Sequence, residues 1–277
     1  MNRHLKIAGT FLGIHAFVNL QAQKTCMKIQ YCSDLHLEFQ TNQIFNSRNP
    51  IKAESEILIL AGDIVPLHEK YLKHPFFDFV SDNFEMVFWV PGNHEFYYKD
   101  IADYSCNFDL QIRDNLRLVS NTISEYGDVK FVFSTLWSRI QAINEKVIEK
   151  SVSDFECITY NGQKFTASIF NRLHDQCVSF LEQSLSIVCP KTVVITHHLP
   201  SAACNAPGYN KSRINEAFCV NMDQFILDHP VDYWIYGHSH FNQQALQIGN
   251  TRLLTNQLGY VHLGEHLSYQ PNASIDL

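Results

Sequence analysis

The chain has 277 residues, 45% of them apolar, enough to bury a sizeable core in one large α/β domain or two small ones. Its formal net charge is −7 and its Lys and Arg are scattered, which argues against an extended nucleic-acid footprint but permits a small phosphorylated ligand held through bound cations. Beyond the amino terminus no run is long and apolar enough to span a bilayer, so no membrane partner is expected.

At the amino terminus Arg3 and Lys6 precede the apolar stretch Ile7 to Leu20 and then Gln21-Ala22-Gln23, an order that resembles a secretory signal peptide. Met27 opens Met-Lys-Ile-Gln-Tyr-Cys-Ser-Asp, which reads as a chain starting directly on a core strand, so residues 1–26 also read as an upstream extension. On both readings the fold is one domain over residues 27–277. The 8 Cys are dispersed without a C-x-x-C pair, several of them inside apolar runs, and a domain this large needs no disulfide staples. Reduced thiols and a cytoplasmic location are therefore expected; export is expected instead if residues 1–22 are a signal peptide.

Strand-like runs occur at Lys28 to Ser33, Ile57 to Ala61, Met86 to Val90, Val129 to Thr135, Thr192 to Thr196 and Tyr233 to Tyr236. A hairpin is expected from Ala245 to Ile248 and Arg252 to Thr255, turning at Gly249-Asn250. Helices are expected over Tyr71 to Phe84, Ile101 to Asp114, Ala167 to Ser186 and Asn221 to Asp228; in the third, Leu173, Cys177, Phe180/Leu181 and Leu185 recur at helical spacing. Strands alternating with amphipathic stretches point to an α/β fold. Two polar stretches, Gln40 to Glu54 and Ser138 to Thr166, read as irregular insertions, and they give a single domain carrying a modest cap.

The segments at the carboxyl ends of these strands carry the chemistry. Asp34-Leu35-His36 comes after the first, Gly62-Asp63 after the second, and Pro91-Gly92-Asn93-His94-Glu95 after the third. His197-His198-Leu199-Pro200 comes after Val193 to Thr196, and Gly237-His238-Ser239-His240 after Trp234 to Tyr236. The carboxyl edge of an open α/β sheet is where ligands bind. In D-x-H and H-x-H, if extended, both members project to the same side. Glycines before Asp63, Asn93 and His238 let a turn approach an ion closely. Such a His/Asp/Asn set without thiolate suits two ions of Zn, Mn or Fe rather than an all-oxygen Mg or Ca site. Each motif alone is weak; their order at successive strand ends is what points to a dinuclear metal centre.

In that order the motifs D-x-H, G-D, G-N-H-E, H and G-H-x-H resemble the calcineurin-like metallophosphoesterase superfamily, from Met27 to about Tyr260. The resemblance implies a two-sheet β-sandwich core flanked by helices in four α/β/β/α layers, here with the small cap insertion. It implies one divalent ion held by Asp34, His36, Asp63 and His240, and another held by Asp63, Asn93, His197 and His238, with Asp63 bridging. His94 would lie beside the substrate phosphate as general acid or transition-state stabiliser. Either of the adjacent His197 and His198 could be the ligand; His197, which continues the strand, is the one assigned, leaving His198 behind it or facing substrate. After Gly62-Asp63 come Ile64-Val65-Pro66, without the further acidic residue of some subgroups. Glu95 would orient a neighbouring His or form a structural salt bridge.

A water bridging two dications loses a proton near neutral pH and becomes a nucleophile, while Asp34 and Asp63 leave the ions under-neutralised and able to hold a phosphate ester. The expected function is hydrolysis of a phosphomonoester or phosphodiester in a small substrate. Two other readings are a non-catalytic binding module, which should lack a ligand or His94, and a protein serine/threonine phosphatase, which favours an open groove. Lys211 and Arg213 read first as solvated surface charge and second as an anion clamp; Tyr97, Tyr98 and Tyr209 read as rim or core packing before base stacking.

Overall fold

Ile57, Ile59 and Ala61 belong to one apolar cluster and the intervening Leu58 and Leu60 to another, so both faces of this strand are buried. That is the requirement on a central parallel strand, whose side chains alternate between two packed layers. In the computed structural model of this chain, which describes residues 27–187 and 189–277, the pattern recurs through two sheets. The amino-terminal segment expected as a signal or upstream extension lies outside the described residues.

Strands β1 (Lys28–Cys32), β2 (Ile57–Ala61), β3 (Met86–Val90), β4 (Phe108–Arg113) and β5 (Leu116–Ser120) build the first sheet. The chain then crosses to β6 (Thr122–Tyr126) and β7 (Val129–Ser134), and the small hairpin β8 (Thr159–Tyr160) with β9 (Gln163–Lys164) comes next. The second sheet continues with β10 (Thr192–Thr196), β11 (Tyr233–Ile235), β12 (Leu246–Ile248) and β13 (Thr251–Leu254), and β14 (Ser274–Asp276) returns to the edge of the first. The orders are β14-β1-β2-β3-β5-β4 and β12-β13-β11-β10-β7-β6, each 6-stranded. Inner strands run parallel and the edges antiparallel, so both sheets are mixed.

The sheets pack face to face through Ile59, Phe88 and Val90 from one and Phe131, Phe133, Val193 and Ile195 from the other. The first sheet's outer face lies under helix α3 (Pro75–Asn83) and the cap, through Phe76, Phe77 and Val80 against Trp89 and through the cap's Phe155 and Phe165. The second sheet's outer face lies under the later turns of α6 (Ala167–Leu185) and α7 (Asp223–Asp228), where Leu181, Leu185 and Ile226 meet Val132, Val194 and Trp234. The result is the four-layer α/β/β/α sandwich that the resemblance implies. Among the described residues no helix is long and apolar enough to cross a membrane.

Some expectations need correction. The helix expected over Ile101 to Asp114 is a single 3₁₀ turn, Ile101–Asp103, followed by edge strand β4. Phe108, Leu110 and Ile112 alternate, and Leu110 faces Leu118 across an antiparallel pairing closed at Asp114-Asn115. Asn115 secures the turn by donating to the carbonyls of Ser81 at 2.9 Å and Phe84 at 2.6 Å. The helix expected over Tyr71 to Phe84 splits into α2 (Glu69–Leu72) and α3, because Pro75 can occupy a first helical turn but forces extended backbone on His74, whose ring caps Phe76 N–H at 3.1 Å. Part of the supposedly irregular Gln40–Glu54 stretch is helix α1 (Gln40–Arg48), anchored by buried Asn42 donating to Leu35 O and Gly259 O instead of by an apolar stripe. The cap contains α4 (Glu145–Ser151), α5 (Asp154–Cys157) and the β8–β9 hairpin.

Candidate metal centre

The loops leaving β1, β2, β3, β10 and β11 meet at one edge of the sandwich and are bonded to one another there. The N–H groups of Asp34, His36 and Leu37 donate to the carbonyls of Gly62, Asp63 and Ile64 at 2.9, 3.0 and 2.9 Å, and Gly237 N–H donates to His197 O at 3.0 Å. Asp34, His36, Asp63, His238 and His240 all have left-handed backbone, with φ between 45 and 78°. For residues other than glycine this costs on the order of 1–3 kcal/mol each and persists only where the surroundings over-determine it. The expectation of extended D-x-H and H-x-H pairs is therefore corrected: these are turns. His238 and His240 accordingly diverge, one to each of two groups.

The first group is Asp34, His36 and His240 and the second is Asp63, His197 and His238, with donor atoms within 4.8 Å in each; a third such group, His36, Glu38 and His94, shares His36 with the first. In the first, His36 Nε2 lies 2.9 Å from His240 Nε2, and His240 Nε2 lies 3.4 Å from Asp34 Oδ1. In the second, His197 Nε2 lies 3.1 Å from His238 Nδ1, 3.2 Å from Asn93 Oδ1 and 3.4 Å from Asp63 Oδ1. Asp63 spans the groups, since its Oδ2 faces His36 Nε2 at 3.8 Å and His94 Nε2 at 4.0 Å. Gly92 leaves room for this: a Cβ there would collide with Asp63 Oδ1 and His197 Nε2.

The donor set fits divalent cations. A carbonyl or carboxylate can only accept, so the ring nitrogen facing it must carry the proton. His197 Nδ1 faces Ala61 O at 2.9 Å, His36 Nδ1 faces Glu38 Oε1 at 3.1 Å and His240 Nδ1 faces Glu265 Oε2 at 2.7 Å. In the neutral rings all three Nε2 lone pairs therefore turn inward, toward other lone pairs and carboxylate oxygens. Only positive charge makes that arrangement stable. Without a cation it must come from protons: burial opposes the charge on His240, but Asp34 and Glu265 outweigh it and push its pKa to about 10. Burial likewise opposes charge on His197, yet Asp63 and Asp34 push it up to about 9. Burial raises the Asp63 carboxyl, but His197 and His94 hold it well below the usual carboxylate range.

Several supporting residues were not singled out from sequence. Glu38 Oε1 accepts from His36 Nδ1 at 3.1 Å and from His94 Nδ1 at 3.0 Å, so one carboxylate orients both rings. Its only sequence signal is the alternation that continues D-x-H into D-x-H-x-E. Buried Asp154, from the cap, accepts from Asn93 Nδ2 at 2.7 Å and Tyr97 OH at 2.8 Å, which turns Asn93 Oδ1 toward His197. Tyr97 stacks on His94 with centroids 4.1 Å apart. Neither Asp154 nor Glu265 belongs to any strand-end motif, so nothing local marks them.

Glu95 plays neither of its expected parts. Its carboxylate accepts the N–H groups of Gly92 at 2.6 Å, Ile64 at 2.7 Å and Asp63 at 2.9 Å and the indole N–H of Trp89 at 3.0 Å, tying the second loop to the third. His198 is wholly buried behind His238, between Trp137 and Phe170, with Nδ1 toward Thr135 O; it does not face the cavity. Burial, then His197, push its pKa well down. Lys211 and Arg213 are exposed, and neither lines the cavity of about 280 Å³ above the groups, whereas Tyr97 and Tyr209 do. Tyr98 is 80% exposed and also lies outside that wall.

The Calcineurin-like phosphoesterase family model matches residues 27–242. An uncharacterized protein of Acanthamoeba polyphaga mimivirus, L509, is 32% identical over 274 residues, covering 90% of this chain and 96% of its own length. Among solved structures, the phosphopantetheinyl hydrolase PptH of Mycobacterium tuberculosis superposes with a TM-score of 0.67 at 16% identity, over 91% of this chain and 96% of its own, a likeness of fold.

Proposed function

This chain belongs to the calcineurin-like phosphoesterase family, and from that premise we propose that it is a metal-dependent hydrolase of phosphomonoester or phosphodiester bonds in a small substrate. The observation that supports this reading best is the buried convergence of His36, His197 and His240 Nε2 with Asp34, Asp63 and Asn93 oxygens, each ring held by an acceptor on its other nitrogen. Outer partners of this kind fix ring orientation and strengthen ligands. In this reading Asp34, His36, Asp63 and His240 hold one divalent ion and Asp63, Asn93, His197 and His238 the other, with manganese, iron or zinc suited to the donors. When bound, the two ions supply Lewis acidity toward phosphoryl oxygens and lower the pKa of water.

The protein's own groups do the rest. His94 lines the cavity beside Asp63, its Nδ1 proton directed to Glu38, which leaves Nε2 as the nitrogen that gives a proton to the departing oxygen. Burial lowers the His94 pKa, but Asp63 and Glu38 more than offset this and raise it, favouring the protonated form an acid needs. The cap, through Ser151, Val152, Ser153 and Asp154, walls one side of the cavity, which favours a small substrate over a folded phosphoprotein. The test is reconstitution of chelator-stripped protein with manganese, iron(II) or zinc, followed by metal analysis and assay on p-nitrophenyl phosphate and bis(p-nitrophenyl) phosphate. Asp63→Ala should lose bound metal and turnover together; a variant keeping both would overturn the bridging assignment.

A further inference from the structure

We propose that the organic group of the substrate carries no negative charge of its own. The cavity takes the phosphoester of an uncharged aromatic or aliphatic alcohol, accepts a cationic one, and discriminates against polyphosphates and acidic esters. This rests on the phosphoesterase reading above.

The floor of the cavity is formed by the candidate ligands Asp63, Asn93, His238 and His240, with His94. Its walls above them are Tyr97, Val152, Tyr209, Phe218 and Tyr260, offering ring faces and apolar edges, with Tyr97 stacked on His94 and Phe218 lying 4.7 Å from the His238 ring. Aromatic walls of this kind suit flat or aliphatic groups. None of the described lining residues is Lys or Arg. The loop between Tyr209 and Ile214, both lining residues, carries Lys211 and Arg213, yet those two are exposed and form no part of the wall.

Apart from His94 and the candidate ligands, the acidic side chains in the wall are the carboxyl groups of Asp154 and Glu265. Asp154 is buried, with Oδ1 engaged by Asn93 and Tyr97 and Oδ2 without a partner. Glu265 accepts from His240 Nδ1 at 2.7 Å and Tyr260 N–H at 2.6 Å. With Asp34 and Asp63 as the carboxylates among the candidate ligands, two dications would leave a surplus of about two positive charges, which one phosphoryl dianion would match. A second anionic group would stand beside Glu265, held ionised against its burial by its bonds from His240 and Tyr260 N–H, or beside Asp154, with no Lys or Arg in the wall to meet it. In a walled, part-buried cavity that repulsion is several-fold stronger than in water. Specificity of this kind works by repelling the wrong partner as much as by holding the right one.

The test compares phenyl phosphate, 4-carboxyphenyl phosphate and 4-(trimethylammonio)phenyl phosphate on the metal-reconstituted protein. The carboxylate makes the phenol no worse a leaving group, so a slower reaction reads charge in the cavity. The expected kcat/KM for the carboxyphenyl ester is at least about tenfold below that for phenyl phosphate, with the trimethylammonio ester at or above it. Ser153→Lys, at an exposed lining position of the cap, should close most of that gap. Equal or faster turnover of the carboxyphenyl ester, or a ratio that Ser153→Lys does not move, overturns the proposal. If protein shown to carry its metals hydrolyses none of the three esters, the phosphoesterase reading itself fails and takes this one with it.

Discussion

His94 shows how much of a site is set by residues that never touch the substrate. Its ring is fixed from two sides, by Glu38 Oε1 at 3.0 Å on Nδ1 and by Tyr97 stacked on its face, while its backbone N–H donates to Asp63 Oδ1 at 3.0 Å. None of these contacts depends on a ligand donor from His94 itself. His94→Ala should therefore keep its bound metals and lose about 10²–10⁴-fold in turnover on p-nitrophenyl phosphate. Wild-type turnover in the variant would remove His94 from the chemistry. Residues such as Asp34, Asp63 and His197 were legible in the sequence because each lies just past an apolar strand, so that position and chemistry coincide in one motif. Glu38, Asp154 and Glu265 were not. They reach the site from a turn, the cap and the carboxy-terminal region, and only the folded chain brings their oxygens to His36, Asn93 and His240. Glu95 was visible in G-N-H-E, but its part was misjudged, because its partners are backbone N–H groups that no side-chain motif reveals.

At the level of elements, what holds the centre is the registration of one βα loop against the next. Glu95 alone gathers four N–H groups, from Asp63 and Ile64 after β2 and from Gly92 and Trp89 at the end of β3. Replacing it with Gln turns one acceptor oxygen into a donor and leaves buried N–H groups facing an amide of the same sense. Each buried donor left unsatisfied costs about 1–3 kcal/mol, so Glu95→Gln should lose about 2–5 kcal/mol of stability. Urea denaturation of the metal-stripped protein checks this, as a lower midpoint at unchanged slope; an unchanged midpoint would show that the loops are held otherwise. The inner strands were legible because burial on both faces gives short apolar runs such as Ile57–Ala61 and Thr192–Thr196. Edge strand β4 and helix α1 were not. β4 alternates at Phe108, Leu110 and Ile112 but buries little, with its central residues exposed, and α1 is anchored by a buried Asn42 rather than an apolar stripe, so the pattern that marks an element's type is weak in the first and missing in the second.

For the whole molecule, protons and cations compete for the same lone pairs. In the ion-free protein His197 and His240, with pKa values pushed up to about 9 and 10, hold protons at pH 7 because Asp63 and Asp34 demand positive charge beside them. Both are raised above an ordinary histidine, so their contribution to stability is fully present below about pH 6.5 and is lost as pH climbs through 9 to 10. A divalent ion binds the deprotonated rings, so loading should expel roughly one to two protons per chain at pH 7. Calorimetric titration of zinc or manganese into stripped protein, in two buffers of different ionisation enthalpy, measures that number directly. The same competition makes the stabilisation from metal grow as pH rises from 6.5 toward 9, where the stripped protein is losing its own. At a free ion concentration near 100 times Kd the gain for one site is about 2.7 kcal/mol, visible as a raised Tm. Binding without proton release, and with a Tm increment indifferent to pH, would mean that the imidazoles of His197 and His240 are not the groups that take the metal.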